Sequence, residues 1–224
     1  MAVGTIGAPR RGDLRQHILR TALHLFTSDG YFNTSVHHIQ RAAGVSIGSI
    51  YNHFGGKEGI ARALYRDLLD RMNVLVDAAI AGRPDTYSQG LSLVESLFEM
   101  TESDPEVIGF VLNAKHREFL PDEPPICSSE PFARMRAVLQ QGMDTGELRP
   151  MDLMIASSCA YGPALRMISL RLDGLLETRL PLYTEPVWEA AWRSIRSAAL
   201  AQDGISVGTS PSQPVLGASE RSST

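Results

Sequence analysis

Apolar residues recur along most of this chain at three- and four-residue spacing, and no useful run of strict alternation interrupts them. The pattern therefore predicts an all-α fold. A first helix is expected over 13–28, with Leu14, Ile18, Ala22, Leu25 and Phe26 on one face, Asp13 as N-cap and Gly30 as a left-handed stop. Thr34 then caps a short helix reaching 43, with Val36, Ile39 and Ala43 inward and Gly44 at its end. Ser46 caps a third helix to about 53, and Gly55-Gly56 breaks the chain. A long helix follows from 57 to about 81, carrying Ile60, Leu64, Leu68, Met72, Leu75 and Ala79. At about 1.5 Å per residue it reaches roughly 36 Å, longer than a three-helix head needs, so it is expected to join two bodies.

The second body reads as five more helices, about nine in all. Residues 88–102 carry Leu91, Val94, Leu97 and Phe98; Asp104 and Pro105 form an N-cap and first-turn pair before Val107, Phe110, Val111 and Ala114. A loop is expected at 121–128. Ser129 opens a helix through Phe132, Met135, Leu139 and Met143, and Asp152 opens another to 172. The last helix spans 185–201 and presents Trp188, Ala191 and Ile195. These elements divide the chain into a flexible arm (1–10), a head (11–71), a larger helical body (72–203) and a Gly/Ser/Pro-rich tail (204–224) expected to be disordered.

Charge sharpens that division. The net charge of −4 over 224 residues hides nine Lys/Arg against five acids in residues 1–71, and five of the six histidines also lie there. Such asymmetry points to a polyanion-binding module, although a solvated basic face would look the same. Cys127 and Cys159 lack zinc-ribbon spacing and make no disulfide scaffold. Arg10 and Arg11 are followed by no apolar run of signal-peptide type, and no stretch approaches the roughly 20 apolar residues of a membrane helix. The longest candidate, 153–165, contains Ser157, Ser158, Gly162 and Pro163. A cytoplasmic protein without a membrane partner is expected.

The informative stretch is 34–57, TSVHHIQRAAGVSIGSIYNHFGGK. It reads as a helix, a tight turn at Ala43-Gly44-Val45 and a second helix capped by Ser46, which is a helix-turn-helix. With Ile50 and Phe54 inward, the outer face of the third helix is Ser46, Ile47, Gly48, Ser49, Tyr51 and Asn52. These residues are mostly small or hydrogen-bonding, and none is acidic, as entry into a DNA major groove requires. Gly48 costs the helix roughly 1 kcal/mol relative to Ala, which makes sense if a partner must approach the backbone closely.

This stretch resembles the DNA-binding signature of the TetR (tetracycline-repressor-like) transcription regulators. The resemblance rests on Ala43-Gly44-Val45-Ser46, Gly48, Tyr51, His53-Phe54 and Lys57-Glu58, and extends back through Ile18, Ala22, Leu25, Phe26, Gly30, Tyr31 and Thr34, covering about 13–66. Three positions depart from it: Gln40 replaces a usual small Ala, Asn33 a commoner small or charged residue, and Gly59 a bulkier residue, loosening the start of the fourth helix. The resemblance implies that Ser46, Gly48 and Ser49 face base edges and that Tyr51 and His53 lie along the phosphate backbone. It also implies that Thr34 and Lys57 meet phosphates at helix N-termini, that His37 is a phosphate or base contact, and that Arg10 and Arg11 reach the flanking minor groove. Thr34 and Ser46 are equally ordinary N-caps.

For the second body the resemblance implies a small-molecule effector pocket, with Phe98, Phe110, Met143, Met154, Tyr161 and Met167 as candidate lining and His116 and Arg117 as polar anchors. Met and aromatic stripes are also plain core. Gly162-Pro163 within a helix suggests an opening in the bundle or a simple kink. The helices over 152–172 and 185–201 are expected to pair with a second copy, giving a homodimer on a palindromic operator in double-stranded DNA.

Catalytic and cofactor patterns are absent. Gly55-Gly56-Lys57-Glu58 has neither the leading Gly nor the trailing Ser/Thr of a phosphate loop, and the adjacent His37 and His38 diverge on a helix, making a poor metal pair. Cys127 near His116 is more simply a free loop thiol than a thiol site. The expected function is a ligand-responsive DNA-binding regulator, most simply a repressor. The competing reading is an all-helical ligand-binding or enzymatic domain with an incidental helix-turn-helix.

Overall fold

The computed structural model describes residues 11–113 and 116–198; the expected arm and tail lie outside them. Ten α-helices are present there: α1 (Arg11–Ser28), α2 (Val36–Ala43), α3 (Ile47–Phe54), α4 (Lys57–Ile80), α5 (Thr86–Ser103), α6 (Pro105–Asn113), α7 (His116–Phe119), α8 (Glu130–Asp144), α9 (Leu153–Leu172) and α10 (Thr184–Ile195). The count exceeds expectation by the single turn α7, too short to show periodicity. The loop expected over 121–128 ends in a 3₁₀ turn, Ile126–Ser128.

Two apolar cores form, and α4 belongs to both. Its first half places Ile60, Ala61, Leu64, Tyr65 and Leu68 in a core with Ile18, Ala22, Phe26, Ile39 and Ile50. Its second half places Met72, Val76 and Ala79 in a core with Leu93, Leu97, Leu139, Ala160 and Trp188. The helix thus joins two bodies, as its length predicts. The first core is nevertheless not closed by residues 11–71 alone: Val107, Phe110 and Val111 of α6, with Phe119 and Leu120, complete it. Head and body are fused through α6 as well as through α4.

Helix ends follow the chain's capping chemistry, with corrections. Asp13 falls inside the first turn of α1 rather than before it. Ser35, not Thr34, caps α2, its side chain accepting from the His38 N–H. Ser46 caps α3 through the Ser49 N–H at 3.0 Å, and Asp152 caps α9 through Met154 and Ile155. The expected 185–201 helix stops at Ile195, because the chain turns to pair Leu148 with Arg196 in an antiparallel bridge. Arg149 N–H donates to Ile195 O and Ser197 N–H to Glu147 O, tying the α8–α9 link to the end of α10.

One expectation about apolar length is also revised. Helix α9 is long and apolar enough, by length and composition alone, to cross a membrane, yet only 28% of its most apolar window is buried in the monomer. Its inward face, Ala156, Ala160, Tyr161, Ala164 and Ile168, packs into the bundle. At its C-terminal end Arg171 donates to both carboxylate oxygens of Glu102, at 2.9 and 3.0 Å.

Candidate nucleic-acid interface and internal cavity

The helix-turn-helix is built by a tight, fully bonded turn. Gly44 adopts φ 63°, a left-handed conformation that costs glycine little. Its N–H donates to Arg41 O, and the Val45 N–H reaches back to Gln40 O. Gln40 adds its side-chain amide, donating to Val45 O at 2.8 Å, so this departure from the family pattern is a clamp across the turn. Nε2 of His17 lies 3.0 Å from Ala43 O, tying α1 to the same corner. Ile50 is fully buried and anchors α3 to the head, leaving Ser46, Gly48, Tyr51 and Asn52 exposed and Ile47, Ser49 and His53 half-buried.

That exposed surface has the composition a duplex demands. Tyr51 is 55% exposed, one of the few large hydrophobic side chains that the described residues leave in solvent. A Cβ added at Gly48 would meet nothing nearer than Ser46 Oγ at 3.8 Å, so no internal contact requires glycine there. At Gly59 the situation is reversed: a Cβ would lie 1.7 Å from Phe54 O. Gly59 therefore does not loosen α4. It lets the end of α3 dock against the start of α4, correcting the sequence-based expectation.

Two predicted phosphate contacts need restating. Thr34 is 1% exposed, and its hydroxyl is shared between Leu25 O and Gly30 O, so its side chain cannot reach a phosphate. Ser35, exposed at the α2 N-terminus, holds the position Thr34 was expected to fill; the adjacent Thr-Ser pair was the only signal, and periodicity does not choose between neighbours. Lys57 stands at the start of α4, but Nζ donates to Tyr31 O at 3.0 Å and sits 4.0 Å from the Tyr31 ring centroid. Partial burial lowers its pKa. His37 is exposed on α2, and Arg41 is exposed in its last turn beside the recognition corner. Arg10 and the side chain of Arg11 lie outside the described residues.

The second body contains a cavity of about 270 Å³ bounded by α4, α5, α6, α8 and α9. Met154 and Tyr161 line it as expected, and Gly162 forms part of the wall on α9, whereas Pro163 lies on the exposed side. Four other candidates do not line it. Phe98 is fully buried in the second core, and Phe110 stacks on Phe26 at 6.4 Å in the first. Met143 and Met167 pack against the second core. Arg117 is exposed and outside the lining, and the His116 side chain is outside the described residues. The polar wall is instead Arg136, Ser157 and Ser158. Arg136 was missed because it sits between apolar residues of α8, where a long basic side chain reads as a solvated position. The Tyr161 hydroxyl is committed to Met135 O at 3.2 Å, and burial pushes its pKa up.

A short acid-free helix, held proud of a three-helix head by a glycine corner, defines the helix-turn-helix class. Residues 18–64 match the bacterial regulatory proteins of the tetR family. The chain is 30% identical over 143 residues to the HTH-type transcriptional repressor KstR2 of Mycolicibacterium smegmatis, covering 61% of this chain and 68% of that protein. It is 34% identical over 100 residues to the HTH-type transcriptional repressor AcnR of Corynebacterium efficiens, covering 41% of this chain and about half (53%) of the relative's length. The fold matches FadR from Bacillus subtilis, solved in complex with stearoyl-CoA, with a TM-score of 0.65 at 19% identity over 81% of this chain and 99% of the other. The chain belongs to the tetR family of bacterial regulatory proteins.

Proposed function

We propose that this protein is a homodimeric, ligand-responsive transcriptional repressor of the cytoplasm that reads a palindromic operator. Residues 11–71 form the reading head, and residues 72–203 form the effector and dimerisation body. The observation that carries this reading is the exposed face of α3, where Tyr51 stands out and Gly48 has no internal reason to be glycine. Ser46, Gly48 and Ser49 meet base edges in the major groove; Tyr51, Asn52, His53 and His37 meet backbone or flanking bases. Lys57 uses one ammonium donor on Tyr31 O and directs its others to phosphate.

Dimerisation follows from unfinished apolar surface. Met154 and Ile155 at the start of α9 are 59% and 57% exposed, and only 28% of that helix's most apolar window is buried in the monomer. Pairing α9 and α10 with their copies covers it and sets two α3 helices about 34 Å apart, one turn of B-DNA. The cavity beside α9 is the natural seat for an effector, whose binding shifts α4 and α6 and so the spacing of the heads. FadR, with the same fold, was solved holding an acyl-CoA, which is consistent with an effector seat in this architecture.

The test is fluorescence anisotropy of the purified chain on duplex DNA across a salt series. Affinity falling steeply with salt is expected, because each neutralised phosphate releases counterions. No duplex affinity even at low ionic strength overturns the reading.

A further inference from the structure

The cavity's chemistry narrows the effector class; the inference rests on reading the second body as the sensor. Its walls are apolar on four sides: Met72 of α4, Leu97 of α5, Ile108 of α6 and Leu165 of α9. Arg136 is the one charged residue among the described lining. It is half-buried on α8, with Ser157 and Ser158 in the same wall. Arg136 already has an intramolecular interaction; a guanidinium offers five N–H donors in a planar fork, a geometry that can take an anion beside an existing partner. The Tyr161 hydroxyl already donates to Met135 O and the Ser158 hydroxyl to Met154 O, which leaves Arg136 and Ser157 to recognise a polar group.

Size sets the other bound. An engineered cavity of roughly 150 Å³ admits benzene. A cavity of about 270 Å³ accordingly suits an apolar body of roughly ten to twelve carbons. At Gly162 a Cβ would meet nothing within 4 Å, so the glycine leaves open space along α9 where a side chain would intrude.

We propose that the effector is an amphipathic anion: an unbranched or compact hydrocarbon body of about ten carbons seated among Met72, Leu97, Ile108 and Leu165, with its negative group on Arg136 and Ser157. The shared chemistry fits a free medium-chain carboxylate or the same chain on a phosphate-bearing carrier.

Isothermal titration calorimetry of the full chain with decanoate, decanol and decanoyl-CoA tests it. At least one of the two anions is expected to bind ten- to a hundredfold tighter than decanol, the range of a charge-assisted hydrogen bond. The tighter anion identifies the head group. Arg136→Met is expected to erase that advantage and leave decanol within about twofold, since the anion's charged donor is removed while an apolar side chain keeps the wall. Gly162→Leu, which fills the cavity, is expected to abolish binding of all three. Equal affinity for decanol and both anions, or an anion preference that survives Arg136→Met, overturns the proposal. So does a chain that binds duplex DNA yet ignores both anions. A chain that binds an anion through Arg136 but no duplex overturns the regulator reading instead and leaves the ligand class standing.

Discussion

Tyr31 stacks on Phe119, with ring centroids 4.1 Å apart and planes inclined by 17°. Tyr31 lies in the link between α1 and α2, and its carbonyl holds the Lys57 ammonium at the start of α4. Phe119 ends α7, just beyond α6, whose Ile108, Val111 and Leu112 line the cavity. The cavity wall and the base of the reading head are therefore joined by packed rings, not only by the α4 shaft. An aromatic pair adds about 0.5–1.5 kcal/mol beyond area burial. Phe119→Leu is expected to weaken duplex binding by roughly two- to tenfold in anisotropy titrations, although Phe119 lies outside the helix-turn-helix. Val74→Ala, at an exposed α4 position, leaves affinity unchanged. Unchanged affinity in Phe119→Leu would confine the stack to packing.

Two glycines should respond to alanine with opposite signs. Gly48→Ala removes a helix-propensity penalty of up to about 1 kcal/mol, so thermal stability is expected to rise while duplex affinity falls. Gly59→Ala places a methyl on Phe54 O and forces α3 and α4 apart. It is expected to destabilise by at least about 1–3 kcal/mol, as overpacking does. Calorimetric melting of both variants with parallel duplex titrations checks the pair; full duplex affinity in a stabilised Gly48→Ala would refute the close-approach argument.

Base reading and phosphate contact separate by selectivity. Lys57→Ala is expected to weaken every duplex similarly and to flatten the salt slope by about 0.9 per subunit. Ser49→Ala is expected to alter preference at one base position of each half-site. Competition with single-substituted duplexes distinguishes the outcomes, and equal loss on all sequences from both variants contradicts the assigned roles.

Stability below neutral pH should depend on Glu102. Hydrogen bonding from Arg171, with the Leu180 N–H at 2.9 Å, holds its carboxyl below the usual glutamate value of 4.5. The ionised form is favoured on folding, so its contribution is complete above pH 4.5 and is lost as pH falls through the depressed folded value. Glu102→Gln is expected to melt lower than the parent at pH 7 and to show a smaller further loss on acidification. Identical melting profiles from pH 7 down to pH 3 would show the cluster to be without energetic weight.

The head was legible because local chemistry decides it. Gly44, Ser46 and the inward Ile39 and Ile50 specify turn, cap and face within one short window, and the structure realises all four. Thr34 against Ser35 was not legible: both are good caps, and the choice was made by the carbonyls of Leu25 in α1 and Gly30 in the link after it. Gly59 was misread for a similar reason, since its constraint comes from a backbone oxygen five residues away across a bend. In the second body, helical period identified which residues face inward. It could not say which inward residues leave a void between helices: Phe98 fills the core while Leu97 beside it borders the cavity. Arg136 was invisible to a pattern that sorts residues only into apolar and polar.

The most direct test of paired recognition helices is selection of binding sites from a pool of randomised duplexes. Two inverted half-sites are expected, centred about ten base pairs or a multiple of that apart, with Ser49→Ala shifting the preferred base symmetrically in both. Recovery of unenriched sequence, or of a lone asymmetric half-site, would contradict a dimer that reads DNA through α3.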